Sequence, residues 1–241
     1  MMVTTSTDGA MSVWQMDMLA APIEQLALTD VSGIDFASSD TFWAGGHDGN
    51  VYSGSRVDKA GARAGLGSDR YVGHTSRISA LHVHPNFSDI VLTASFDWSV
   101  RLFKHRAGLR PSSALVTSDA QNRRLNVRSI HAIDTFSDYV MDAKWSPSHP
   151  CVFAAVDAAG SLSLFDLSTN PEVPIESTSI NNKSSSLPLA GLNKLAFGNA
   201  GRLIATGDTN GIIRTYSLAE SLYSSSNDDF LLFTKLINNR I

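Results

Sequence analysis

Cysteine is almost absent from this chain: Cys151 is the single one among 241 residues. One cysteine cannot form an intrachain disulfide, so a disulfide-stapled secreted scaffold is excluded and a reducing compartment is favoured. We expect Cys151 to be a small core residue at the start of a strand. No basic and apolar signal region opens the chain, and no apolar run approaches the ~18 residues of a membrane helix. We therefore expect neither secretion nor membrane insertion.

Strong net charge and enzyme motifs are also missing. The chain has 19 Lys and Arg against 23 Asp and Glu, a formal net charge of −4, so no global field favours nucleic acid as a partner. The sequence contains no phosphate-binding loop of the Gly-x-x-x-x-Gly-Lys-Ser/Thr type and no Gly-x-Ser-x-Gly nucleophile elbow. His82 and His84 share a strand face, but no third ligand follows at a suitable spacing. We expect no catalytic residues, no cofactor and no metal.

A repeated unit of short strands is what the chain does contain. One copy consists of Arg77–Pro85, Ile90–Ser95, the turn Asp97-Trp98 and Ser99–Phe103. The same order recurs around three other segments: Val31–Gly54, Val140–Asp166 and Leu192–Tyr216. Because one such unit cannot bury both faces of its sheet, the units must stack on one another. The pattern predicts a β-propeller or a similar array.

The turn of each unit lies in a constant register. It follows the last apolar residue of the first strand by 13 to 15 residues, and the third strand ends five residues later. The turns contain, in chain order, Asp8-Gly9, Asp48-Gly49, Asp97-Trp98, Asp157 ahead of Gly160, and Asp208 ahead of Gly211. Glycine accepts a positive φ and Asp can bond its own backbone, so these residues predict hairpin turns, with Trp98 as the variant.

These units resemble WD40 repeats. Gly73-His74 stands where that family has its Gly-His pair, and Phe165-Asp166 stands where it has Trp-Asp. The family braces each blade with a hydrogen-bonded set of His, Ser or Thr, Asp and Trp. The resemblance implies such a brace here, with Asp97 orienting His74 and Ser95 supplying the hydroxyl. Phe103 replaces the Trp, cannot donate, and leaves the brace one bond short.

The fold expected is all-β: a partial WD40-type propeller of about four blades plus an incomplete first blade, and a short C-terminal helix. We place the propeller at 1–220, with units at about 1–30, 31–70, 71–136, 137–186 and 187–220, and a helical tail at 221–241. Four and a half blades cannot close a ring, and an open fan exposes sheet edges. We therefore expect this sequence to be the C-terminal part of a longer protein.

Several segments are similar to the dynein intermediate chains in their cytoplasmic form. They are Ser6–Gly9 with Trp14 and Asp17–Leu19, Ser95–Leu102, Asp138–Pro150 and Phe153–Asp157. The resemblance implies a non-catalytic scaffold subunit that binds the dynein heavy chain and supports minus-end-directed transport on microtubules. It implies a place in the cytoplasm, on the cytoskeleton. Light chains and dynactin would bind through an N-terminal region that this sequence lacks.

Two departures and two alternatives accompany this interpretation. Arg106–Asn126 is interpreted as an insertion, and the Ser-rich stretch Ser177–Leu187 also departs from the family. The alternatives are a generic WD40 adaptor and an axonemal or intraflagellar intermediate chain. Phe96–Trp98 and Trp145–Pro150 favour dynein over the generic adaptor, because the turns alone are common to all WD40 proteins.

Candidate partner contacts come from three places. Arg123 and Arg124 form a basic pair that either is solvated or contacts an acidic partner surface. In the tail Phe230, Phe233 and Ile237 share a face at helical spacing, with Leu236 beside them. That face either packs on the propeller, the favoured interpretation, or anchors a partner. Trp43 and Trp98 are candidates for the propeller rim, although we expect Trp98 to fill space beside its turn.

Overall fold

The computed structural model describes residues 2–6, 8–28, 30–57, 65–106, 116–118, 125–181 and 189–239. Its strands form five sheets, called blades 1 to 5. Blade 1 contains β1 (Met2–Thr5), β2 (Ala10–Trp14) and β3 (Glu24–Ala27). Blade 2 contains β4 (Val31–Phe36), β5 (Thr41–Gly46), β6 (Val51–Ser55) and β7 (Gly65–Val72). Blade 3 begins with β8 (Ile78–Val83), β9 (Ile90–Ser95) and β10 (Val100–Lys104).

The remaining strands follow in chain order. β11 (Val116–Ser118) and β12 (Leu125–Arg128) form a hairpin, and β13 (His131–Ile133) completes blade 3 beside β10. Blade 4 contains β14 (Val140–Trp145), β15 (Val152–Asp157), β16 (Ser161–Asp166) and β17 (Glu176–Ser179). Blade 5 contains β18 (Leu192–Gly198), β19 (Leu203–Asp208) and β20 (Ile213–Ser217). Two helices end the described chain: α1 (Glu220–Tyr223) and α2 (Asn227–Asn239).

The first strands of blades 2 to 5 form the innermost layer of the fold. β4 lies against β8, β8 against β14, and β14 against β18. Each is bulged at the same position, between Val31 and Gly33, Ile78 and Ala80, Val140 and Asp142, and Leu192 and Lys194. A bulge bends and twists its strand, so the same bend at the same point marks these four strands as copies of one unit.

Polar side chains join neighbouring innermost strands. A carboxylate oxygen of Asp35 accepts the backbone N–H of Val83 at 2.7 Å, and Nδ1 of His82 accepts that of Trp145 at 3.0 Å. Asp142 accepts the N–H of Leu195 in the same manner, at 3.1 Å. Each of these bonds satisfies a backbone donor on the innermost strand of one blade with a side chain of the blade before it, so the bonds link successive blades.

A backbone hydrogen bond that recurs in blades 2 to 5 defines one end of the propeller. The residue after each second strand donates its N–H to the carbonyl that precedes the first strand of the same blade. The four pairs are His47 to Asp30, Phe96 to Arg77, Ala158 to Tyr139, and Thr209 to Gly191, at 2.8 to 3.2 Å. The hairpin turns and the loops entering the innermost strands therefore lie together. We call this end of the propeller the turn face.

Apolar side chains fill the space between successive blades. Met11 and Val13 of blade 1 pack with Phe42 of blade 2, and Trp43 of blade 2 packs in the cluster that contains Phe103 of blade 3. Every residue of β9 and of β15 is buried, as expected for a central strand covered on both faces. Cys151 is fully buried, and burial raises the pKa of its thiol to about 12. It is thus the core residue that the sequence predicted.

The predicted insertion contributes strands to an unexpected sheet. We placed Arg106–Asn126 within the unit at 71–136, but β12 pairs in parallel with β7 of the preceding blade. β11 then pairs with β12, so the sheet of blade 2 has six strands. An outer strand presents unpaired backbone groups along one edge, and these two strands cover that edge of β7.

Candidate interaction surface

The brace of blade 3 is built around His74. Its Nδ1 lies 3.0 Å and 3.1 Å from the two carboxylate oxygens of Asp97, and its Nε2 lies 2.8 Å from Oγ1 of Thr93. The backbone N–H of Thr75 donates to the same carboxylate at 2.9 Å. The loop before β8 is thereby tied to the turn between β9 and β10.

The hydroxyl of this brace belongs to Thr93 and not, as the sequence suggested, to Ser95. Ser95 Oγ lies 3.0 Å and 2.9 Å from the carbonyl oxygens of Ser76 and Arg77, and it accepts the N–H of Asp97 at 3.2 Å. Residues two apart on a strand share a face, so Thr93 and Ser95 both face the loop that precedes β8. The imidazole of His74 in that loop reaches Thr93, which lies farther from the hairpin turn than Ser95 does.

Phe103 occupies the position of the family's Trp. Its ring is fully buried, with its centroid 6.3 Å from that of His74. A phenyl ring has no N–H, so Thr93 Oγ1 receives no donor from it. The Thr93 hydroxyl also lies 3.3 Å from the carbonyl of Arg101, farther than from His74.

Burial and pairing set the charge of this brace. Burial lowers the pKa of His74, against the opposing effect of Asp97. Burial alone would raise the pKa of Asp97, but its bonds from His74, Ser99 and Thr75 hold that pKa well below the usual range. Both imidazole nitrogens are occupied inside the fold. The arrangement therefore fixes the turn and has no free proton-transfer group.

The hairpin turns place their glycines in the left-handed region. Gly9, Gly49, Gly160 and Gly211 have φ of 81°, 78°, 87° and 79°. The Asp of each turn accepts backbone N–H groups: Asp8 from Ala10, Asp48 from Asn50, Asp157 from Ser161, and Asp208 from Asn210 and Ile212. At Gly49 a Cβ would lie 2.7 Å from the carbonyl oxygen of His74, so blade 3 approaches that turn too closely for any side chain.

Trp98 is the exception among these turn residues. It has a φ of 65° at the position where the other turns have glycine. We expected its ring to fill space beside the turn, but 48% of the residue is exposed. Trp43, the other candidate for the rim, is buried against Tyr71 with ring centroids 4.7 Å apart. Of the two tryptophans, only Trp98 is available on the surface.

Trp98 is part of an aromatic patch on the turn face, formed by Arg77, Phe96, Trp98 and Tyr139. The Tyr139 ring lies 5.0 Å from that of Phe96 and 6.4 Å from that of Trp98, between centroids. The Arg77 guanidinium lies 4.6 Å from the centroid of Phe96. Sequence reasoning missed Arg77 and Tyr139. The available signal was that each immediately precedes an innermost strand in the repeat register.

The tail helix packs on the propeller. Phe233 and Ile237 are buried in the cluster between blades 3 and 4, and Leu236 packs against that cluster. Phe230 is half-buried, with its ring 6.4 Å from that of Phe87. The interpretation of this face as a partner anchor is therefore wrong for Phe233 and Ile237, because their own chain covers them. The apolar periodicity was visible in the sequence, but the surface that would cover it was not.

Ser226 and Asp229 fix the start of this helix. The N–H and the hydroxyl of Ser226 donate to one carboxylate oxygen of Asp229, at 2.7 Å and 3.0 Å. This is half of a capping box: the Asp229 carboxylate accepts the N–H of Ser226, while the N–H of Asp229 donates to the Ser226 carbonyl at 3.2 Å. Arg123 and Arg124, the third candidate contact, lie outside the described residues.

The histidines of blade 3 serve the fold. His82 accepts the N–H of Trp145, and His84 Nδ1 accepts those of Asn86 and Phe87 while its Nε2–H donates to the Pro150 carbonyl. In the part of the chain that the structure describes, no three His, Cys, Asp or Glu side chains form a group that could hold a metal ion. Across the same residues no helix is long and apolar enough to span a membrane.

Comparison with known proteins adds two findings. Residues 67–104 match the family model described as WD domain, G-beta repeat. The chain is also similar to the cytoplasmic dynein 1 intermediate chain of Drosophila melanogaster, with 29% identity over 248 aligned positions. The alignment covers 96% of this chain and 33% of that protein, in its C-terminal part. The chain thus spans about a third of the length of that relative.

These findings confirm the resemblance predicted from the sequence and, with the stacked blades, the fold class. This protein has a partial propeller of WD40 type and is similar, along nearly its whole length, to the C-terminal part of a cytoplasmic dynein intermediate chain.

Proposed function

We propose that this chain is a non-catalytic scaffold subunit of a cytoplasmic dynein complex. In that role it binds the dynein heavy chain and supports minus-end-directed transport along microtubules. The observation behind the proposal is the similarity to a dynein intermediate chain over 96% of this chain. A match confined to residues 67–104 would support only a WD40 repeat.

The fold is suited to rigid display. Side chain to backbone bonds join the innermost strands of blades 2 to 5, and α2 packs against the core between blades 3 and 4. Loops held on such a scaffold keep their positions before a partner arrives, which lowers the entropy lost on binding. Affinity in such interfaces comes from a few aromatic or Arg anchors.

The other partners belong to the proposal as well. Light chains and dynactin would bind outside these 241 residues, in the remainder of a longer protein. The complex would work in the cytoplasm, on microtubules. We also retain as a proposal the division into a propeller at 1–220 and a tail at 221–241.

Coexpression with the dynein heavy-chain tail of the same organism tests the proposal. We expect the two proteins to elute together from a size-exclusion column, at a larger size than either alone. A WD40 propeller from a non-dynein complex, coexpressed in the same way, is the control and should elute separately. Separate elution of this chain and the heavy-chain tail would contradict the proposal.

A further inference from the structure

Trp98, on the turn face, has an unfavourable backbone conformation. Trp98 has a φ of 65°, whereas Gly9, Gly49, Gly160 and Gly211 occupy the same turn position in the other blades. Left-handed φ is disfavoured for residues with a Cβ, most of all bulky ones. A residue held in such a conformation usually serves something other than stability.

The Trp98 side chain contributes little to the core. It is 48% exposed, and Tyr139, its ring partner, is 47% exposed. Large aromatic side chains that stay in water at a fixed position are the typical anchors of protein interfaces. The strain at Trp98 is therefore associated with a side chain that faces solvent.

Arg77 adds a directional charge to this patch. Arg77 is an exposed residue, and its guanidinium lies 4.6 Å from the centroid of the Phe96 ring, which restricts the positions that the group can take. Within the described ranges no carboxylate forms an ion pair with Arg77. A guanidinium that is held in place and has no carboxylate partner among the described residues is suited to bidentate pairing with a carboxylate.

The patch is held on a rigid base. Asp97, the neighbour of Trp98, is fixed by His74 and Thr75. The N–H of Phe96 is bonded to the Arg77 carbonyl, and the Tyr139 carbonyl accepts from Ala158. The aromatic patch therefore spans blades 3 and 4 on backbone that these bonds hold in place.

We infer that the aromatic patch of Arg77, Phe96, Trp98 and Tyr139 is a docking surface for a protein segment that presents an apolar side chain next to a carboxylate. The apolar side chain contacts Trp98 and Tyr139, and the carboxylate pairs with Arg77. This inference rests on the proposed function for the identity of the partner: the segment belongs to the dynein heavy-chain tail.

The test measures the affinity of the full chain for the purified heavy-chain tail by biolayer interferometry. Four variants are compared with the wild type: Trp98→Gly, Trp98→Ala, Arg77→Glu and Arg202→Glu. Arg202→Glu is the matched control, because Arg202 is also exposed and lies 5.2 Å from an aromatic ring, that of Tyr223. We expect Trp98→Gly, Trp98→Ala and Arg77→Glu each to weaken binding about tenfold or more, as for interface anchors, while Arg202→Glu binds like the wild type.

Trp98→Gly separates binding from folding. Glycine is the residue of the sister turns, so this variant should fold and keep its melting temperature while losing affinity. If Trp98→Gly and Arg77→Glu bind as tightly as the wild type, the docking inference is overturned and the proposed function stands. If the wild type itself does not bind the tail, both are overturned. A wild-type dimer that Trp98→Gly dissociates would assign the patch to a second copy of this chain and overturn the assignment to the heavy chain.

Discussion

The imidazole of His84 lies stacked on the ring of Phe233, with centroids 4.8 Å apart and planes inclined by 30°. The Trp145 ring lies 4.7 Å from that of His84 and 5.8 Å from that of Phe233. One aromatic cluster thus contains residues of blade 3, blade 4 and α2. The helix of the 221–241 tail therefore packs into the core of the propeller.

Removing the Phe233 ring should strongly destabilise the fold. Phe233→Ala leaves a cavity where a 1% exposed ring now packs, and such changes lower the free energy of unfolding by about 3–5 kcal/mol. Leu231→Ala is the control on the same helix, because Leu231 is 59% exposed and its loss should change stability by less than about 0.5 kcal/mol. Urea unfolding followed by tryptophan fluorescence measures both. Equal effects would mean that α2 does not pack as described.

The brace of blade 3, around Asp97, should contribute more to the free energy of unfolding than the turn of blade 2 around Asp48. Asp97→Asn removes the charge that pairs with buried His74, and losing a charged hydrogen-bond partner lowers the free energy of unfolding by about 1.5–3 kcal/mol. Asp48→Asn changes the equivalent turn, where the carboxylate bonds Asn50 and Tyr52 near the surface, and should have a smaller effect. Chemical denaturation of both variants at neutral pH compares them. A larger loss for Asp48→Asn would contradict the assignment of the brace.

Backbone strain at Trp98 can be measured by comparing two truncations. Trp98→Ala and Trp98→Gly both remove the ring, so their difference reports the conformation of the backbone. At a φ of 65° we expect Trp98→Gly to be the more stable of the two by about 1 kcal/mol, because Ala disfavours left-handed φ. In an ordinary strand the order is reversed. Thermal unfolding by circular dichroism gives the answer, and a more stable Trp98→Ala would show that the turn is not left-handed.

The buried histidines should make the protein sensitive to mild acid. Burial lowers the pKa of His84 and, with nearby Lys144, that of His82, each to about 4 from the usual 6.5. The unfolded chain therefore binds more protons between pH 6.5 and about 4, so stability is fully present above this window and falls as pH decreases through it. The slope approaches about 1.4 kcal/mol per pH unit for each histidine.

The hydrogen bonds of His84 also predict that protonation destabilises the fold. Nδ1 of His84 accepts two backbone N–H groups, so a proton there would break both bonds. Nuclear magnetic resonance titration of the imidazole signals, with unfolding measured at matched pH values, checks the prediction. Midpoints near 6.5 for His82 and His84 would contradict it.

Some of this structure is visible in the sequence because it depends on local chemistry. The turns need a residue that accepts positive φ, and the glycines Gly49, Gly160 and Gly211 therefore predict the positions of the turns. The hydroxyl of the brace depends instead on how far the loop with His74 reaches along β9. The sequence does not specify that distance, so it could not show whether Thr93 or Ser95 bonds the imidazole. The pairing of β12 with β7 joins residues far apart in the chain, and no local pattern specifies it. The exposure of Trp98 likewise depends on how neighbouring loops, such as the one that contains Tyr139, are placed in the fold.

Immunoprecipitation of the protein from the cells that produce it, followed by mass spectrometry of the recovered subunits, tests the central claim most directly. The account predicts recovery of dynein heavy chain in an amount comparable to that of the protein itself, together with dynein light chains. Recovery of the protein without dynein heavy chain would contradict it.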